Sequence, residues 1–394
     1  MLWINFLHLY QPVHTDAYFI KEATEKSYKR IISALEAHPE IGFTLNINTC
    51  LFLRWEELGY SGLIKRIAVL LERGQIELTG NAAYHPLLPL IPKEELERQI
   101  KESEDIFRKH FGEKYKPRGF FMSEMAYGKE AAKAIKELGY EWIILDEITY
   151  NGRLKQVDFR KCHIDKESKL KLIFRSRKLS SDYVPKLINK LLDKANGKIV
   201  AITATDAELY GLRYNDIHNE LGKLFKDERL ETKLISDYLD LACTSKAGKE
   251  INLVSSNWES TERELKEKRA YSSWKDNKKD IHKKLWQLTN HVYTTVCEHQ
   301  DDDNYYWARW HLVRGLSSCT FWWASGKDFR YIFGPYAWNP DEIERGTNEL
   351  VRSIRAINNE LTIADKIKAE HLFVEIKKIV WEKHWIYYWK KVIN

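Results

Sequence analysis

The chain has 394 residues, 44% of them hydrophobic and 13% aromatic, which supplies one large core or two ordinary ones and excludes disorder as its main character. Its 63 basic and 57 acidic residues leave a net charge of +6. The two signs interleave, as in EATEKSYKR and KEELERQIKESEDIFRK, so they read as solvated helix surfaces and argue against a nucleic-acid partner.

From residue 1 to about 211, short apolar runs alternate with segments of helical period, the pattern of parallel βα units. Strands are expected at Leu2 to Leu9, Gly42 to Ile47, Ile76 to Thr79, Gly119 to Ser123, Trp142 to Asp146, Lys169 to Phe174 and Lys198 to Ala204, seven in all. Tyr28, Ile31, Ile32 and Leu35 recur at helical spacing, as do Ile64, Ile67, Leu70 and Leu71, the second set stopped by Gly74. Pro92, followed by Lys93-Glu94-Glu95, opens another helix with acids in its first turn. Val157 to Arg175 reads as a hairpin insertion. After Ser256 the chain turns to long helices rich in lysine, glutamate and tryptophan, one of them starting at Asn339-Pro340-Asp341. The expected organisation is thus a βα domain over 1–256 and a helical domain over 257–394 packed on it.

No run approaches the ~20 apolar residues of a membrane span, so no membrane partner is expected. MLWINFLHLYQP lacks the charged and cleavable parts of a secretory leader. Cys50, Cys162, Cys243, Cys297 and Cys319 are odd in number, scattered and without C-x-x-C spacing. Neither a disulfide framework nor a zinc knuckle is expected, and the cytoplasm is the expected compartment. Oligomeric state is not legible.

Two expected strands end on carboxylates, Glu124 after Gly119-Phe120-Phe121-Met122-Ser123 and Asp206 after Ile199 to Thr205. Buried parallel strands are near-continuous apolar runs, and α/β barrels build their sites at the carboxyl ends of such strands. His8 and Gln11 leave the first strand in His8-Leu9-Tyr10-Gln11-Pro12, and His85 follows the third in Gly80-Asn81-Ala82-Ala83-Tyr84-His85-Pro86. Glu208 and Tyr210 follow Asp206. Glycoside hydrolysis needs two carboxyl groups flanking the bond, one of them protonated, and Glu124 and Asp206 supply such a pair. The 14 tryptophans suit sugar faces, whose C–H groups pack on aromatic rings.

In order and strand-end placement, His8 to Pro12, Tyr84-His85-Pro86-Leu87-Leu88-Pro89, the Glu124 segment and Asp206-Ala207-Glu208-Leu209-Tyr210-Gly211 resemble the motifs of glycoside hydrolase family 57. The resemblance implies an incomplete (β/α)7 barrel followed by helices. It also implies a retaining enzyme of α-amylase, amylopullulanase or 4-α-glucanotransferase type acting on α-glucans or α-linked oligosaccharides, with no cofactor and no metal. By the same resemblance Glu124 is the nucleophile and Asp206 the general acid/base, while His8, Gln11 and His85 hold the sugar. An apolar surround, such as Phe121 or Tyr210, would be expected to raise the Asp206 pKa. More loosely, Trp274 and Asp276 are candidates for the substrate groove.

Two other readings stay open on the residues alone. One is a glycan-binding relative without turnover, since the sequence places the acids without showing that they face each other. The other is a metal-dependent polysaccharide deacetylase, for which no H-x-x-x-H spacing occurs.

Overall fold

Leu2–Leu9 (β1) is buried along nearly its whole length, as a strand covered on both faces must be. A computed structural model describes residues 1–194, 199–244, 248–327 and 337–389. The other strands are Phe43–Ile47 (β2), Ile76–Leu78 (β3), Gly119–Phe120 (β4), Trp142–Asp146 (β5), His163–Asp165 (β6), Lys171–Arg175 (β7), Val200–Asp206 (β8), Glu231–Thr232 (β9) and Lys249–Ile251 (β10). β8, β1, β2 and β3 pair in that order and are parallel, and β4, β5 and β7 form a second parallel run. The runs meet at Gly80, whose N–H donates to Gly119 O at 2.9 Å while its carbonyl accepts from Phe121 N at 3.0 Å. On the other side Ser176 N donates to Ile202 O at 2.9 Å. All seven expected strands are therefore present in an α/β barrel arrangement; Lys198, the expected start of the last, lies outside the described residues. The expected hairpin is β6 antiparallel to β7, with β10 added to its outer edge.

Strand parity sorts the side chains. Ile4 and Phe6, Trp142 and Ile144, Ile173, Ile202 and Ala204 pack with Phe121 in one cluster inside the barrel. The alternate residues Trp3, Leu7 and Leu45 pack outward against helices such as Lys29–Ala37 and Ser61–Glu72. Glycine at 119 is required by this packing, because a Cβ there would meet the Trp142 indole at 2.0 Å.

Two units emerge. The first comprises Met1–Gln11, Thr15–Ala83 and Leu88–Lys268; the second comprises Pro12–His14, Tyr84–Leu87 and Arg269–Asn394. Ser256 to Lys268 thus belongs with the barrel. The second unit carries the helices Asp280–Glu298, Tyr305–Gly315, Pro340–Ala356 and Ile363–Lys383. Asn339 caps the third, its side chain accepting from Asp341 N and Glu342 N. Asp302 fixes the turn before the second helix, accepting from Asn304 N at 2.9 Å and from Asn358 N and Asn359 N.

The cysteine reading needs correction. Cys162, just before β6, and Cys243, in the last turn of the helix Ile235–Thr244, form a disulfide across a sequence separation of 81. Spacing in sequence carries no trace of a pairing made by the fold.

Candidate active site

On four strands the inward parity continues past the apolar residues to a polar one at the carboxyl end. β1 runs Ile4, Phe6, His8; β5 runs Trp142, Ile144, Asp146; β7 runs Ile173, Arg175; β8 runs Ile202, Ala204, Asp206. His8 and Asp206 are register partners on adjacent strands. The His8 ring lies 4.5 Å from that of Phe121, and its Nδ1 pairs with Asn46 Oδ1 at 2.8 Å. Burial lowers the His8 pKa to about 4, against the raising effect of Asp206 and of the Asn46 bond, so the imidazole is neutral at pH 7.

Glu124 sits where β4 breaks. It is 8% exposed with φ 61°, and Met125 follows at φ 48°. Two consecutive left-handed non-glycine residues hold their conformation only where surroundings enforce it, a condition concentrated at functional sites. Here Met125 N donates to Met122 O at 2.8 Å and Ala126 N to Ser123 O at 3.1 Å. A strap from Leu253 to Ser260 crosses the exits of β4 and β5. Val254 N donates to Thr149 O at 3.0 Å, Tyr127 N to Ser256 O at 2.8 Å and Trp258 N to Glu124 O at 3.2 Å.

The strap is held from below by two arginines. Arg175 donates to Asp146 at 2.8 Å, to Ala204 O at 3.0 Å and to Trp258 O at 3.3 Å, and its guanidinium lies 5.2 Å from the Trp258 ring centre. Arg177 donates to both Asp146 oxygens and to Ser260 O at 2.8 Å. Asp146 is wholly buried between them. The half-buried Trp258 comes within 6.1 Å of His8 and 6.2 Å of Phe121, ring centre to ring centre.

Asp206 is 27% exposed, and its Oδ2 accepts from Arg213 Nη1 at 2.9 Å. The apolar surround expected around it is not what the fold provides; the carboxyl that burial acts on is that of Glu208. Glu208 accepts from Gln11 Nε2 at 2.8 Å and from the Tyr28 hydroxyl. Burial raises its pKa to about 7, with Arg213 pulling it down and Asp206 pushing it up. Gln11 is thereby oriented by its amide nitrogen, which leaves its amide oxygen as the acceptor end.

His8, Gln11, Glu124, Asp206 and Glu208 thus belong to one unit. Tyr210, expected to bind substrate, instead turns into the core: it is fully buried, with Asn5 Nδ2 at 3.5 Å from its hydroxyl and its ring 5.5 Å from Tyr183. The short helical turn Ala207–Tyr210 reverses its direction relative to Asp206. His85, Trp274 and Asp276 belong to the second unit. His85 is buried at φ 55°, with its Nδ1 2.9 Å from Ser318 Oγ. Trp274 has no exposed surface, and an indole buried on all sides offers no face to a sugar. Asp276 pairs with Arg269 at 2.7 Å.

Sequence reading missed Tyr28, Asn46, Asp146, Arg175, Arg213 and Trp258. For Asp146 and Arg175 a usable clue was present, since each stands at an even offset from an apolar inward residue; Asn46 shares its face of β2 with Thr44 and had no such marker. Trp258 carried none, because its place depends on the strap.

The family model for glycosyl hydrolase family 57 matches residues 3–240. The chain belongs to glycosyl hydrolase family 57. Among its family 57 relatives, alpha-amylase 1 of Dictyoglomus thermophilum is 27% identical over 226 residues, 54% of this chain and 32% of that one. The 4-alpha-glucanotransferase of Thermococcus litoralis is 31% identical over 147 residues, 36% of this chain and 22% of that one. The chain spans only about a third of the length of the first of these relatives. A family 57 branching enzyme structure from Thermococcus kodakaraensis superposes with a TM-score of 0.71 at 15% identity, covering 95% of this chain and 94% of that one. The crystal structure of the T. litoralis glucanotransferase gives 0.69 at 18%, covering 91% and 60%. These superpositions establish the family 57 fold. No helix among the described residues is long and apolar enough to cross a membrane.

Proposed function

We propose that this chain is a retaining enzyme acting on α-glucans or α-linked oligosaccharides. The observation that carries the reading is the coexistence, in one barrel unit, of a buried Glu124 forced into the left-handed region and an inward, partly exposed Asp206 at the exit of β8. Glu124 attacks the anomeric carbon as the glycosidic C–O bond breaks, and Asp206 delivers a proton to the departing oxygen. In the second half Asp206 takes a proton from water or a sugar hydroxyl as that oxygen attacks the same carbon, releasing Glu124. His8 and Gln11 are neutral groups that bond sugar hydroxyls without adding charge beside the two carboxyls. Trp258 supplies an aromatic face. The chemistry requires neither metal nor cofactor.

The test is covalent trapping. Asp206→Asn treated with an α-maltosyl fluoride, whose leaving group needs no proton, is expected to accumulate a maltosyl ester on Glu124, located by peptide mass spectrometry. Glu124→Gln is expected to lower turnover of malto-oligosaccharides at least ~1,000-fold. An adduct on another residue, or full activity in Glu124→Gln, overturns the assignment; tight maltopentaose binding by the wild type without any product would identify a binding protein. Product analysis on malto-oligosaccharides, amylopectin, pullulan and an α-galactoside then resolves hydrolysis from transfer. A cytoplasmic location belongs to the same proposal, although the Cys162–Cys243 bridge counts against a reducing compartment.

A further inference from the structure

Asp206 carries one chemical ambiguity that its strand does not remove. A carboxyl group has two equivalent oxygens, and an acid that must present its proton to one substrate atom gains when the two are made different. The fold makes them different through a residue beyond the last recognisable motif. After the turn Ala207–Tyr210, Gly211 adopts φ 144°, and a Cβ there would meet Lys26 O at 2.0 Å. Leu212 N and Arg213 N then both donate to Glu208 O, at 3.1 and 2.8 Å. This sharp reversal returns Arg213 over the end of β8, where Nη1 donates to Asp206 Oδ2 at 2.9 Å.

Stability does not account for the pair. The two side chains are 42% and 27% exposed, and ion pairs so exposed contribute only about 0–1 kcal/mol. Nor is a guanidinium a neutral choice beside a proton carrier. It has donors only and stays charged at every relevant pH, so it neither takes the proton nor competes with substrate to receive it. Asp206 also acts on His8 on the neighbouring strand and on Glu208 in the following turn.

We propose that Arg213 is a positioning residue for the acid/base carboxyl: by holding Asp206 Oδ2 it assigns the transferable proton to Oδ1 and meets the carboxylate left behind as that proton departs. This rests on the reading of Glu124 and Asp206 given above. In the glycosylation step the O–H bond of Asp206 and the glycosidic C–O bond break while an O–H bond forms on the leaving oxygen. Negative charge grows on Asp206 with its counter-charge already in place, so nothing has to reorganise. In the second step Asp206 starts as a carboxylate already paired with that cation, so the pairing does not strengthen as the proton arrives. Arg213 therefore favours the acid-requiring half-reaction and not the other.

That asymmetry gives the experiment. Arg213→Met and Arg213→Lys are compared with wild type and Asp206→Ala on maltopentaose and on 2,4-dinitrophenyl α-maltoside, whose leaving group needs no proton. Arg213→Met is expected to lower kcat on maltopentaose about 30-fold with KM changed less than about threefold, and to lower kcat on the aryl maltoside by less than about threefold. Arg213→Lys, which keeps a cation and a donor, is expected to recover most of the loss. Equal losses on both substrates would mean a structural role and overturn the proposal, as would no loss on either. If Asp206→Ala shows the leaving-group dependence and Arg213→Met does not, the positioning role alone fails. A wild type that turns over neither substrate defeats the catalytic reading, and the role of Arg213 falls with it.

Discussion

Glu208 shows how one buried side chain serves geometry and titrates unusually as a result. It is 2% exposed, yet it must accept from both Gln11 and Tyr28 to orient the former. Desolvation disfavours its charged form, so its pKa stands at about 7 instead of 4.5. Between those pH values the folded chain holds a proton that the unfolded chain has released. Stability from this group is therefore complete below about pH 4.5 and is lost as the pH rises through 7. Glu208→Gln keeps an oxygen acceptor for Gln11 and Tyr28 without the charge. We expect the variant to match wild type at pH 5 and to exceed it by roughly 3 kcal/mol at pH 9, read from urea midpoints at the two pH values. An equal difference at both would mean that the carboxylate is not the origin of the effect.

At the scale of elements, the strap from Leu253 to Ser260 joins packing to chemistry. It has no regular ladder of its own and depends on Thr149, Tyr127, Glu124 and the two arginines below. Removing Arg177 breaks the bond to Ser260 O and leaves Asp146, which has no exposed surface, with Arg175 as its remaining ion-pair partner. Breaking a buried pair typically costs 3–5 kcal/mol. We expect Arg177→Met to destabilise the protein by about 3 kcal/mol and to raise KM for maltopentaose more than it lowers kcat, because Trp258 shifts while Glu124 keeps its place in the turn after β4. Denaturant titration and steady-state kinetics check both; an unchanged KM would show that the strap does not carry the sugar face. The contrast between strand and strap also explains what the sequence reveals. The seven parallel strands announce themselves because burial on both faces demands unbroken apolar runs, and two carboxylates stand out as those runs end. Tyr210 was misplaced because a short helical turn cancels strand parity after Asp206. Trp258 and the Cys162–Cys243 bridge are long-range products of folding that no local pattern encodes.

Over the whole molecule, buried titratable groups divide unequally between the two units, and acid should separate them. In the barrel unit His8 is lowered to about 4 and Glu208 raised to about 7; burial also lowers His163 and raises Glu77. As pH falls from 6.5 toward 4.5, the unfolded barrel takes up protons on histidines that the folded barrel refuses, while the folded barrel keeps protons on carboxyls that the unfolded one lacks. The two sets act in opposite directions. In the second unit burial lowers His14 to about 4 and His282 to about 3, and the carboxyls Asp276, Asp280, Asp302 and Glu370 are lowered as well. Stabilisation from the two histidines is complete above pH 6.5 and is lost as pH falls, by about 5 kcal/mol in all at pH 4.5. That is comparable to the whole stability of many domains. We therefore expect brief pepsin treatment at pH 4.5 to cut first within Asp280–Glu298 and Pro340–Ala356 while the barrel stays intact, with little cutting at pH 6. His14→Gln and His282→Gln, which cannot gain a proton, should each shift the onset of cleavage to lower pH. Simultaneous cutting of both units, or an onset unmoved in both variants, would show that the imidazoles do not set the acid limit.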